Sequence, residues 1–175
     1  MGLNLLKKDH YELINDSYTY TFPNNNTFTI FKSINNILYL IYSNKNKSFI
    51  SYNIIDNKKI IEIKNAHKDY ITYFKHHLDL KNKIDLVISL SRHINLKLWN
   101  VNKWECLFNM NKIGILYSAC FLLENNQSYI ITGIPFFKIY DLKGNIIKEL
   151  IEPNDITYIV DTYFDKNLKK NFIIT

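Results

Sequence analysis

An aromatic residue followed by Asn or Asp closes an alternating apolar stretch three times along this chain, as Tyr52-Asn53, Trp99-Asn100 and Tyr140-Asp141. The aromatics lie 47 and 41 residues apart. A period of this size marks a chain assembled from equivalent supersecondary units, and so limits the folds open to it more than any composition can. Around each pair the order repeats in SYNIIDNKKI, LWNVNKWECL and IYDLKGNIIK: apolar strand, aromatic-polar pair, aliphatic residue, polar turn, apolar strand. A second landmark keeps a similar period. The aliphatics Ile71, Leu116 and Ile156, in YITYF, LYSAC and DITYI, are 45 and 40 residues apart.

Between landmarks the chain divides into apolar runs of strand length, among them Ile37 to Tyr42, Leu86 to Ser91, Leu96 to Val101 and Tyr129 to Gly133, separated by Asn-, Asp- and Lys-rich turns. The pattern predicts an all-β chain of four-stranded antiparallel meanders, with little helix beyond the first ten or so residues. The units run 27–65, 66–110 and 111–151, and 152–175 holds an incomplete fourth. Residues 1–26 form an extension whose YELINDSYTYTF could add a strand to a terminal unit. Composition agrees, with 15% aromatics, 4 Gly and 3 Pro. An AT-rich coding sequence would produce much of the same bias, so the pattern carries the argument.

The unit Ala66 to Asn100, AHKDYITYFKHHLDLKNKIDLVISLSRHINLKLWN, resembles the WD-repeat pattern of a Gly-His opening, apolar core strands and a Trp-Asp close. The resemblance covers roughly residues 27 to 175 and is strongest over 66 to 151. It implies a β-propeller of four-stranded blades, here three plus part of a fourth, left open as an arc. It also implies a buried network from Trp99 through Ser89 or Ser91 to His67, with His93 standing where the family places Asp. Lys112 and Glu152 replace the histidine in the neighbouring units, so those rely on apolar packing. Trp99 is expected to be buried near Leu96, Leu98 and Leu107, with Lys97 facing solvent. Tyr52, Asn53, His67, Trp99, Asn100, Tyr140 and Asp141 are thus read as structural repeat positions.

The sequence offers no catalytic, cofactor or metal set. Gly114, Gly133 and Gly144 are isolated, so no phosphate-binding loop is spelled out. His76 and His77 are adjacent, and neighbours on a strand point to opposite faces, so they are read as surface residues. Asp79, Asp85, Asp161 and Asp165 fall in or near predicted turns, where capping and solvation account for them. Cys106 and Cys120 have no CxxC spacing and are expected as buried free thiols. Base stacking on Phe136, Phe137, Lys138 and Tyr140 is disfavoured, because Tyr140 takes the repeat's aromatic position.

These readings predict a non-catalytic protein-protein interaction scaffold of the WD-repeat type, with self-association through open blade edges. The net charge of +6 comes from lysines spread over several turns, such as Asn44 to Lys47 and Lys166 to Lys170. That spread disfavours nucleic acid, yet it leaves an alternative in which Lys-rich turns bind RNA or an acidic membrane surface. A truncated copy without independent function is a further alternative. No signal-peptide or membrane-spanning pattern is legible, and a cytoplasmic location, with the nucleus also compatible, is the expectation.

Overall fold

The computed structural model describes residues 27–44, 47–92, 95–111, 118–133, 137–150, 160–165, 167–168 and 170–174. All regular structure among them is β. Sheet 1 contains β1 (Phe28–Lys32), β2 (Leu38–Ser43), β3 (Phe49–Asn53) and β4 (Lys58–Ile63). Sheet 2 contains β5 (Ile71–Asp79), β6 (Ile84–Ser91), β7 (Asn95–Asn100) and β8 (Glu105–Asn111). Sheet 3 contains β9 (Ala119–Glu124), β10 (Gln127–Thr132), β11 (Phe137–Tyr140) and β12 (Ile146–Leu150). A hairpin of β13 (Asp161–Asp165) and β14 (Lys170–Ile174) follows. Each sheet is a simple antiparallel meander whose strands pair in chain order. None closes on itself.

The three sheets share one construction. The third strand of each pairs with the fourth through a register shift just before the repeated aromatic, at Ser51/Tyr52, Leu98/Trp99 and Ile139/Tyr140. The fourth strand begins six residues after that aromatic in every sheet, at Lys58, Glu105 and Ile146. The polar partner of each pair builds the intervening turn by accepting backbone amides two to four residues on. Asn53 Oδ1 accepts from Ile55 N at 3.1 Å and Asp56 N at 3.4 Å. Asn100 Oδ1 accepts from Asn102 N at 3.0 Å, and Asp141 Oδ1 from Lys143 N at 2.9 Å and Asn145 N at 2.8 Å. The sequence repeat is therefore a bulge followed by a side-chain-capped turn. With glycine scarce, asparagine fills most left-handed turn positions, including both residues of the β9–β10 turn, Asn125 (φ 49) and Asn126 (φ 59).

Successive sheets pack face to face. Phe31, Tyr39, Ile41 and Phe49 of sheet 1 meet Phe74, Val87 and Trp99 of sheet 2. Leu86, Ile88, Leu90, Leu96 and Leu98, on the other face of sheet 2, meet Ala119, Phe121, Ile130 and Tyr140 of sheet 3. Cys120, Leu122, Ile131 and Phe137 then face Val160 and Ile173 at the hairpin. Strand β6 lies between two partners, which explains why both of its faces are buried. The outer strands β4, β8 and β12 are largely exposed and each carries Glu, with Lys as well on β4 and β12, which protects an unpaired edge. The first strands of successive sheets approach one another, β1 to β5, β5 to β9 and β9 to β13, and β9 also meets β6 and β14.

Several sequence expectations are corrected by this packing. Trp99 is buried, but Leu96 and Leu98 lie on the opposite face of β7 and Leu107 is exposed. Alternation requires this, since Trp99 must share its face with Lys97. Lys97 is half-buried, its ammonium 5.6 Å from the Trp99 ring centroid and donating to Ala66 O. Cys106 is exposed, whereas Cys120 is buried as expected. The extension 1–26, His93, Lys112, Leu116, Phe136, Glu152 and Ile156 lie outside the described residues.

Candidate functional site

Two of the repeat positions, His67 and Trp99, form a buried polar knot with Ser89 in the middle of sheet 2. Trp99 Nε1 donates to Ser89 Oγ at 2.8 Å, and His67 Nε2 lies 2.6 Å from the same oxygen. His67 sits on the β4–β5 connection, held by its backbone N donating to Lys47 O at 3.1 Å. Of the two serines named from the sequence, Ser89 supplies the hydroxyl. Ser91 Oγ and His67 Nδ1 meet no hydrogen-bond partner among the described residues. The His67 imidazole is pushed down to about 4, first by burial and then by the nearby Lys97 charge, against an opposing pull from the Asn95 amide. A buried neutral imidazole bonded to Ser89 serves to fasten the β4–β5 connection onto sheet 2.

The histidine pair is not superficial. His76 and His77 do point to opposite faces, but each is half-buried in a different seam. His76 stacks on Phe31 of sheet 1, with ring centroids 3.8 Å apart and planes 7° from parallel. His77 stacks on Phe121 of sheet 3 at 4.7 Å and 18°. His76 Nε2 bonds Asp85 Oδ1 at 2.8 Å, and His77 Nε2 bonds Ser128 Oγ at 2.8 Å. Burial lowers both imidazoles, against the pull of Asp85 on His76 and of Asp79 on His77.

Asp85 corrects the reading of a solvated turn residue. It is 1% exposed, and its second oxygen accepts from Ile34 N of sheet 1 at 2.9 Å. One carboxylate thus binds two sheets across 51 residues of sequence. Asp79 and Asp165 do cap turns, accepting from Lys81 N and from Asn167 N respectively. Asp161 instead receives Lys75 Nζ at 3.0 Å on both oxygens, tying the hairpin to sheet 2.

Phe137 and Tyr140 are buried in seams, so their rings are not open to bases. Among the described residues no group of three or more His, Cys, Asp or Glu is arranged to hold a metal ion. Among the same residues no helix is long and apolar enough to cross a membrane.

Two surface features remain. Tyr163, Phe172 and Ile174 are exposed on the outer face of the hairpin, and β14 has no neighbour on its second edge among the described residues. A shallow groove of about 590 Å³ separates the β9–β10 turn from the hairpin, bordered by Leu123, Glu124, Phe164 and Lys170. No protein-family model matches the chain, and no curated protein matches it.

Proposed function

We propose that the chain is a protein-protein interaction scaffold of the WD-repeat propeller type. The observation that carries the reading is the shared bulge and capped turn in three successive sheets, one of them centred on the Trp99–Ser89–His67 knot. Approach of the sheets at their first strands agrees with blades arranged around a common axis. The buried polar groups are spent on holding sheets together, which leaves exposed faces and edges as the surfaces through which the molecule acts.

The terminal hairpin is the principal such surface. Among the described residues strand β14 has no partner on its second edge, beside Tyr163, Phe172 and Ile174, which suits addition of a strand from another chain. Light scattering across a concentration series tests this. The expected result is a mass above that of the monomer, lowered towards it by Phe172→Lys. A monomer at every concentration, with no change on that substitution, contradicts self-association through this surface.

A further inference from the structure

We propose that one end of sheets 1 and 2, where Lys47 and Ser48 before β3, the β4–β5 connection and Arg92 after β6 meet, binds single-stranded nucleic acid. In an antiparallel meander alternate connections fall at the same end, so residues far apart in sequence converge there. Lys47, Lys64, Lys68 and Arg92 are the cations described in these segments. Backbone bonds join the segments side by side. His67 N donates to Lys47 O at 3.1 Å, and Arg92 N donates to Tyr70 O at 3.0 Å. Asn65 N donates to Ser48 Oγ at 3.1 Å. The one acid described in them is Asp69, so the four cations leave a net charge of +3.

None of the four cations takes part in an ion pair among the described residues. Lysines at the opposite end have acids at hand, with Lys103 3.9 Å from Glu105 and Lys143 on the Asp141 turn. Spread through the sequence, these basic residues look like solvated turns; the fold brings four of them to the end that also carries Tyr70, which is 51% exposed.

Single-stranded nucleic acid fits this surface better than a membrane. An open ring among cations can stack a base while the cations take flanking phosphates. Membrane insertion needs aliphatic tips, and among the described residues the exposed aliphatics on turns, Ile55, Leu80 and Leu168, lie at the other end.

Fluorescence anisotropy of the full chain with a short labelled oligouridylate tests the proposal. Affinity is expected to fall with salt on a log-log slope of about −2 to −3, near 0.7 for each phosphate neutralised. Lys64→Glu with Lys68→Glu should weaken binding at least ~10-fold and flatten that slope. Tyr70→Ala should weaken binding roughly 10-fold and leave the slope unchanged. Lys81→Glu with Lys143→Glu, at the other end, should change little. Thermal melting checks the fold of each variant, and Lys64→Gln with Lys68→Gln replaces the reversal if that pair fails to fold. The proposal is overturned by absence of binding, by equal losses from both lysine pairs, or by indifference to Tyr70→Ala. It is also overturned if phosphatidylserine vesicles bind this surface and the oligonucleotide does not.

Discussion

Ser89 holds one oxygen between the Trp99 indole and the His67 imidazole, so removing it strands two buried polar groups at once. Ser89→Ala should lower unfolding free energy by about 1 to 3 kcal/mol in urea titrations, the cost of a buried group left unsatisfied. Trp99→Ala should cost about 3 to 5 kcal/mol, because the indole packs between Phe49 and the Lys97 stem. A near-neutral result for Trp99 would show that the repeat register is wrong. His67 also sets a pH dependence. Its folded value of about 4 lies below the ordinary 6.5, so the folded state binds fewer protons between the two. Its share of stability is complete above pH 6.5 and is lost as pH falls towards 4, an effect of about 3 kcal/mol. His76 and His77, also lowered, add in the same direction. Urea midpoints measured across this range should fall on acidification, and a flat profile down to pH 4 would contradict the buried neutral state. At this scale the sequence showed His67, Trp99 and a choice of two serines, because they sit at repeat positions. Asp85 and His76 were not legible as partners of sheet 1, since nothing local to either residue encodes a contact with Ile34 or Phe31.

Each sheet ends its third strand in the same way, and the turn chemistry makes that visible in the amino-acid order alone. Asn and Asp are needed there because a short side-chain acceptor must reach backbone amides in the following turn. Asn100→Ala should therefore cost about 1 kcal/mol, as for one net hydrogen bond, with Asp141→Ala similar. The positions of most strands, though not their ends, were also readable from the apolar runs, as Ile37 to Tyr42 for β2 and Leu96 to Val101 for β7. The facing of Lys97 was not, because β7 is covered on both sides and a lysine there can lay its stem over an aromatic ring. Between elements the Asp85 carboxylate is the decisive link. Asp85→Ala leaves Ile34 N and His76 Nε2 without their acceptor. A loss of about 3 kcal/mol is expected, with faster amide exchange in β1 than in β9. Equal acceleration in both strands would place Asp85 in the general core instead of the seam between sheets 1 and 2.

At the scale of the molecule the sheets form a chain-ordered stack, with the contacts of each sheet made to its neighbours. Such an array has stability that varies along its length, and an element with one open edge should open first. Strands β6 and β7 lie within sheet 2, between two packed seams, whereas β13 and β14 have one packed face and an exposed aromatic outer face. The stacking order follows from the repeat, but the ligand surfaces do not, because a basic end and an apolar edge arise only when distant turns and strands are brought together. Amide hydrogen exchange on the full chain, at a concentration where light scattering gives the monomer, is the decisive test of a scaffold that acts through its open edge. Strong protection is expected in β6 and β7, weak protection in β13 and β14, and a gain in the hairpin when the chain associates. Protection of β13 and β14 equal to that of β7 in the monomer would contradict the scaffold reading, because the edge assigned to partners would already be occupied.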